Sequence, residues 1–312
     1  MTVSTIKTIG FIGLGIMGQS MASHLLAGGF ALNVYNRTKS KADGLVSRGA
    51  KWFDTPGEVA AHSDLVITIV GFPRDVEEVY FGPQGIIAHA KNAILVDMTT
   101  SSPSLARDIA QEAAKKGLGA LDAPVSGGDV GARDAKLTIM VGGSQEVFDQ
   151  ALPVLRLMGT SIILQGGAGM GQHTKMCNQI VIASNIMGVA EGLAYAKKVG
   201  LDPSTVLQSI GGGAASGFQL NVLGTRMIAG DYAPGFYIEH FIKDLTIALA
   251  EAKKLDLDLL WHGQEDIVRH REGVPTTQAP MGNFLDHFSG GWQEVLPLMR
   301  PGAKWQVFLP KS

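Results

Sequence analysis

After a short aliphatic run at residues 8–12, the chain reads Gly13-Leu14-Gly15-Ile16-Met17-Gly18 and passes into a helix-forming stretch at residues 16–27. The three glycines do different work. Gly13 permits a tight turn out of a strand, Gly15 lets a ligand approach the backbone closely, and Gly18 allows the helix to pack against the strand it has just left. A strand that enters a helix in this way opens a βαβ unit, and the helix N-terminus it creates favours anions. The expected occupant is the pyrophosphate of a dinucleotide, held by Gly13, Leu14, Gly15, Ile16, Met17 and Gly18.

The next 150 or so residues continue the theme. Aliphatic runs at residues 31–35, 65–70, 93–97 and 118–122 predict strands, and residues 137–141 and 161–164 are placed to extend the sheet at its far edge. Between them, residues 39–47, 74–79, 104–116 and 145–157 read as helices, which makes a doubly wound parallel sheet the expectation. From about Gly171 the strand signal stops, and residues 172–199 read as one helix of roughly 40 Å at 1.5 Å per residue. Lys175, Asn178, Gln179, Asn185 and Glu191 within it argue against a membrane span. Its largely apolar second half suggests a spine joining two domains and meeting a partner subunit. The expected division is a dinucleotide-binding domain at residues 1–165 and a helical domain at residues 166–312, the latter opening with a connecting helix at 166–199.

Composition removes several function classes. At 312 residues, with 46% hydrophobic and 17% charged side chains, the chain has material for two cores. A formal net charge of -2 provides no footprint for nucleic acid or an anionic membrane. Cys177 is the lone cysteine and the eight histidines are scattered, so neither a disulfide nor a metal site is expected. No secretory pattern opens the chain, and a cytoplasmic protein is the expectation.

The cofactor should be NADP rather than NAD, with NAD possible. The second strand ends Tyr35-Asn36-Arg37-Thr38-Lys39, with no carboxylate for a ribose 2'-hydroxyl and a guanidinium suited to a 2'-phosphate. Farther on, Asp122-Ala123-Pro124-Val125-Ser126-Gly127-Gly128 ends a strand at the sheet's carboxyl edge, where a hydroxyl and unhindered N–H groups suit a small carboxylate. In Asp97-Met98-Thr99-Thr100-Ser101-Ser102-Pro103, Ser102 is expected to cap a helix and Thr100 to contact ligand.

Gly169-Met170-Gly171-Gln172-His173-Thr174-Lys175-Met176-Cys177-Asn178 carries the chemistry. Helical spacing places Gly171, Lys175 and Asn178 on one face, with Gly171 expected to leave a hollow beside the lysine. Lys175 could then protonate a carbonyl oxygen as hydride reaches its carbon, with Asn178 orienting the substrate. Lys243 and Asp244 are adjacent in sequence, which argues against a simple mutual salt bridge; either could reach into a cleft, and a surface charge pair on a helix is an equal alternative.

Together, Phe11 to Gly18, Asp122 to Gly128, Gly169 to Asn178 and Lys243-Asp244-Leu245 resemble, in this order, the β-hydroxyacid dehydrogenase family of 3-hydroxyisobutyrate dehydrogenases and glyoxylate or succinic semialdehyde reductases. The resemblance covers residues 6–256. It implies a Rossmann domain, a long connecting helix and an all-α C-terminal domain, assembled as a homodimer or homotetramer. It implies further that Lys175 is the catalytic lysine, that Ser126, Gly127, Gly128 and Asn178 bind substrate, and that Thr100, Phe236, Lys243 and Asp244 line the cofactor and substrate cleft. Val70-Gly71-Phe72-Pro73 resembles the family's cofactor loop, and Asn36-Arg37-Thr38 its NADP-preferring members. The implied activity is hydride transfer between NADP and a short carboxylated aldehyde or a 2- or 3-hydroxy acid. An imine reductase, a decarboxylating sugar-acid dehydrogenase and a catalytically weak NADP-binding protein are the alternatives. Residues 257–312 depart from the pattern: they hold three of the four tryptophans and five of the thirteen prolines.

Overall fold

The computed structural model describes residues 6–231, 233, 235–257 and 259. Trp261, His262, Gly263, Gln264 and residues 271–280 of the unusual tail lie outside the described residues. The chain forms two compact units, the first ending at Lys175 and the second beginning at Met176.

The first unit is built on a nine-stranded sheet: β1 (Thr8–Ile12), β2 (Ala31–Tyr35), β3 (Lys51–Trp52), β4 (Leu65–Thr68), β5 (Ile94–Asp97), β6 (Ala120–Asp122), β7 (Val125–Ser126), β8 (Leu137–Gly142) and β9 (Gly159–Gly166). Strands β3-β2-β1-β4-β5-β6 run parallel in that order, which places a topological switch between β1 and β4. At the far edge the sheet turns mixed. β8 runs antiparallel to β6 and β7, and parallel to β9.

Alternation along the strands sorts the core into two layers. Ile9, Phe11, Leu65, Ile67 and Val96 pack on one face with Met21, Leu25 and Phe148. Ile12, Val66 and Leu95 pack on the other with Val59, Tyr80 and Ile109. Both faces are covered, so the strands need no polar side and read as mainly apolar runs, with Asn33 of β2 the buried polar exception among Ala31–Tyr35. Ser102 caps the helix Pro103–Lys115, its Oγ accepting the Leu105 N–H at 3.1 Å.

The sequence reading missed β3, β7 and the short helices Pro56–Ala61, Ile86–His89 and Gly128–Arg133. Each is two to six residues long, below the length at which a period can be read. Pro124 ends β6, as expected of a residue without an N–H, but the chain re-enters the sheet at once as β7.

The described part of the second unit is helical: the long helix Met170–Lys198 from Met176 onward, then Pro203–Ile210, a π-helical turn at Gln219–Gly224, Thr225–Ala229 and Ile238–Lys254. Ile186, Val189, Leu193, Leu220 and Met227 form one small core. Ala183, Phe241 and Leu245 form another. No helix among the described residues is long and apolar enough to cross a membrane.

Candidate active site

The glycine-rich turn lies at the carboxyl end of β1, beside the switch point. Gly13 adopts a φ of 101°, and a Cβ there would strike the Ile69 carbonyl oxygen. A Cβ on Gly18 would strike the Gly13 carbonyl oxygen and stand 3.2 Å from Ile69 Cγ2. Around Gly15, by contrast, a Cβ would meet nothing within 4 Å. The helix Ile16–Ala27 that follows has no side-chain cap and no acid in its first turn, so its first N–H groups face an open, uncharged approach. These residues fit a pyrophosphate, with Gly15 clearing its path. Leu14 and Met17 flank that turn. Leu14 is fully buried, and its N–H donates to Asn36 Oδ1 at 2.9 Å.

Asn36 also donates to the Thr38 carbonyl at 2.8 Å and so ties the end of β2 to the glycine turn. Arg37 extends into solvent, its side chain 83% exposed, with Nη1 3.3 Å from Asp75 Oδ1. Asp75 is fixed independently, because its Oδ2 accepts the Phe72 N–H at 3.0 Å at the start of the helix Pro73–Phe81. Arg37 is therefore held by one oxygen of an anchored acid, and most of its fork remains accessible. Lys39, two residues on, has its ammonium over the Trp52 ring at 5.2 Å.

At the carboxyl ends of β4 and β5, Thr99 joins several segments. Its Oγ1 accepts the Val70 N–H at 3.0 Å, and its N–H donates to Asp97 Oδ1 at 3.1 Å. Asp97 Oδ1 also accepts from Thr68 at 2.8 Å, and Thr68 in turn lies 3.1 Å from the Tyr80 hydroxyl. Burial pushes the Asp97 carboxyl up to about 6, against the pull of the Thr99 and Thr68 hydrogen bonds. Burial, and then the Asp97 charge, raises the Tyr80 phenol. Thr100, the expected ligand contact, follows Thr99 directly and is half-buried; Gly71 follows Val70 on the facing loop.

The raised Asp97 carboxyl has a consequence for stability. Between its unfolded value of 3.8 and about 6, the folded state keeps a proton that the unfolded chain releases. Its contribution is therefore full below the lower value and is lost as pH rises through the upper one. Asp97→Asn should thus gain stability relative to the parent as pH rises from 4 to 7, by on the order of 3 kcal/mol. Urea unfolding across that range measures it, and parallel pH profiles for the two proteins would contradict it.

Asp122, at the end of β6, caps the long helix. Its Oδ1 accepts the Gly169 N–H at 2.7 Å and its Oδ2 the Gln172 N–H at 2.8 Å. Burial raises this carboxyl, and the donated backbone N–H groups oppose the rise. Gly171 does not make the expected hollow beside the lysine. A Cβ there would strike the Met140 carbonyl oxygen and stand 2.7 Å from the Asp122 carbonyl oxygen and 2.9 Å from Asp122 Oδ2. The glycine lets the helix seat against β6 and β8, and that close seating brings Lys175 down to the sheet edge.

Lys175 is only 6% exposed, and its Nζ donates to the Val125 carbonyl at 2.8 Å. Val125 immediately precedes Ser126, Gly127 and Gly128. Ser126 lies in β7 opposite Thr138, and Gly127 and Gly128 follow with φ of 122° and 64°, conformations that favour glycine. A buried ammonium therefore stands beside the expected carboxylate cradle. Gln172, one turn before it, is fully buried and bonded at both ends of its amide.

In the second unit, Asn178 donates to Gln179 Oε1 at 2.7 Å, and Gln179 donates to Asp244 Oδ2 at 2.6 Å. Contrary to the sequence reading, Lys243 and Asp244 are ion-paired, with Nζ 3.0 Å from Oδ1 and side chains 9% and 1% exposed. The long lysine stem folds back over its neighbour, which the face-sharing rule for helices overlooks, and burial makes the pairing obligatory. Phe236 stands before the same helix with its ring 6.4 Å from that of Phe241.

The residues that sequence reasoning missed are Asp97, Thr99, Asp122, Gln172 and Gln179. Only Gln172 and Gln179 carried a usable signal: polar side chains close to the lysine or asparagine on a helix whose buried face is otherwise apolar.

Residues 8–167 match the sequence family described as the NAD binding domain of 6-phosphogluconate dehydrogenase. Residues 169–265 match the one described as NAD-binding of NADP-dependent 3-hydroxyisobutyrate dehydrogenase. An uncharacterized oxidoreductase of Bacillus subtilis, YkwC, is 58% identical over 248 residues, 79% of this chain and 86% of its own. The 2-hydroxy-3-oxopropionate reductase of Escherichia coli is 42% identical over 280 residues, 89% of this chain and 94% of its own. Among solved structures, the Mycobacterium tuberculosis 3-hydroxyisobutyrate dehydrogenase with L-serine superposes with a TM-score of 0.78 at 30% identity, covering 86% of this chain and 94% of the other.

Proposed function

The chain belongs to the β-hydroxyacid dehydrogenase family, and from that premise we propose that it is an NADP-dependent enzyme interconverting short carboxylated aldehydes and 2- or 3-hydroxy acids, with Lys175 as the general acid and base. The nicotinamide dependence and the action on CH–OH groups belong to the family. The choice of NADP, the substrate class and the roles of individual residues are the proposal.

The observation that carries it is the buried ammonium of Lys175, donating to the carbonyl of Val125 beside Ser126-Gly127-Gly128. A lysine is seldom buried without a task. Here the ammonium is already aimed at an oxygen, a geometry that a substrate carbonyl can share or take over. The Ser126 hydroxyl and the backbone N–H groups of Gly127 and Gly128 would hold the substrate carboxylate and fix the carbonyl in line with the lysine. Lys175 would give its proton to the carbonyl oxygen in reduction and take it back in oxidation. The bound nicotinamide supplies or accepts the hydride. Gly13 to Gly18 would bear the pyrophosphate, Val70, Gly71 and Thr100 the nicotinamide side, and Asn36, Arg37 and Thr38 the adenosine phosphate. Asn178, Phe236, Lys243 and Asp244 take their proposed places toward cofactor and substrate from the family pattern.

Arg37 makes the cofactor choice testable. Charge-assisted hydrogen bonds to a phosphate contribute about 1.5–3 kcal/mol, so Arg37→Ala should weaken NADPH binding by about 10- to 100-fold. NADH binding should barely change, and titration of both cofactors by fluorescence reads the difference. Equal weakening of the two would reject the 2'-phosphate role. The reaction itself is tested by following NADPH and NADH consumption with glyoxylate, succinic semialdehyde and methylmalonate semialdehyde. The expected result is consumption with at least one of them and a preference for NADPH, and binding of NADPH without any consumption would favour a non-catalytic protein.

The enzyme would assemble as a homodimer or homotetramer. Val181 and Tyr195 stand 56% and 69% exposed on the long helix, and Val199, just past its last residue, 52%, an apolar surface of the kind partner subunits cover.

A further inference from the structure

Gln172 is more completely buried than the lysine, and nothing in the proposed chemistry uses it. Its side chain reaches a segment more than seventy residues away in sequence. Nε2 donates to the Thr99 carbonyl at 2.7 Å, and Oε1 accepts the Ser101 N–H at 2.9 Å. A carbonyl only accepts and an N–H only donates, so the amide has a single permitted orientation. Its own N–H is meanwhile held by Asp122 Oδ2 at 2.8 Å. One residue is thus fastened through its main chain to the end of β6 and through its side chain to the loop after β5. Three residues later the same helix carries Lys175.

The other side of that loop is equally constrained. Thr99 is held through its N–H by Asp97, through its Oγ1 by Val70 and through its carbonyl by Gln172. Thr100 lies between the two backbone groups that Gln172 grips. A leucine would fill the same volume without requiring two buried polar groups to be matched, so packing alone does not call for an amide.

We infer that Gln172 is a positioning residue, one that fixes the Thr99–Ser101 loop on the nicotinamide side against the first turn of the lysine helix and so sets the spacing between Thr100 and Lys175. The inference rests on the assignment of Lys175 as the proton donor. The amide need not touch substrate or cofactor; it holds two groups of unlike duty in one frame.

Gln172→Met keeps length and removes both hydrogen bonds. Its kcat should fall by about 10- to 100-fold, the loss expected of a misplacement near 1 Å. KM for NADPH and for the aldehyde should stay within about threefold, since uniform binding is untouched. The isotope effect with NADPH deuterated at both C4 positions should rise as the chemical step becomes limiting. In a Lys175→Ala background the same substitution should add less than about threefold, because the amide acts through the lysine. Gln172→Glu gives a second reading if the methionine variant does not fold. A neutral glutamic acid restores both bonds and an ionised one loses the donor, so its kcat relative to the parent should rise as pH falls; Asp97 and Asp122 are common to both proteins. Parental turnover of Gln172→Met, an equal loss in both lysine backgrounds, or a pH-independent ratio for Gln172→Glu would overturn the inference. Parental turnover of Lys175→Ala would instead remove the lysine assignment, and this inference with it.

Discussion

Lys175→Ala should bind NADPH within a few fold of the parent protein and turn over about 100- to 10,000-fold more slowly, the range general acid catalysis contributes. The two readouts separate because the glycine turn, Asn36 and Arg37 belong to segments remote in sequence from the lysine. Lys175→Arg should not restore the rate. A broad planar guanidinium on a three-carbon stem does not occupy the site of a compact ammonium that donates to the Val125 carbonyl at 2.8 Å. Stopped-flow single turnovers on a substrate found by the aldehyde screen, together with equilibrium titration of NADPH, measure both quantities. An alanine variant with the parental rate would remove Lys175 from the chemistry.

Gly171→Ala is expected to harm stability and rate together. In a helix the exchange ordinarily gains up to about 1 kcal/mol from propensity. Here the added methyl would meet the Met140 carbonyl oxygen and, at 2.7 and 2.9 Å, two oxygens of Asp122. Overpacking of this kind costs about 1–3 kcal/mol, and the neighbours are backbone or an anchored acid that cannot swing aside. The helix must lift, loosening the Gly169 and Gln172 N–H groups from Asp122 and carrying Lys175 away from Val125. A net loss of stability and a fall in kcat of about 100-fold are expected, against a small gain and an unchanged kcat if the glycine were a passive helix residue. Urea unfolding and steady-state kinetics on the variant decide between them.

How far the sequence reaches follows from the range over which each feature is determined. The Rossmann half is legible because its signals are local: short apolar runs at β1, β4 and β5, and glycines at positions where a Cβ would strike backbone. The two-residue strands β3 and β7 exist only through pairing with β2 and β8, so no local period announces them. Asp122 and Gln172 are decided at separations of about fifty to seventy residues, and in the sequence they look like a strand end and an ordinary helix residue. The Lys243–Asp244 pair was misread by a rule that describes where helical side chains leave the backbone and not how far a lysine stem can bend. Gly171 was read as space, where the structure uses it for contact.

In the proposed reaction, hydride reaches a carbonyl carbon while Lys175 serves its oxygen. Incubation with NADPH deuterated at both C4 positions and an accepted short carboxylated aldehyde, followed by mass spectrometry and proton NMR of the product, tests this most directly. The expected product is a hydroxy acid with one deuterium on its carbinol carbon, formed rapidly by the parent protein and scarcely at all by Lys175→Ala. NADPH oxidation without deuterium in the product, or labelled product formed equally fast by both proteins, would contradict it.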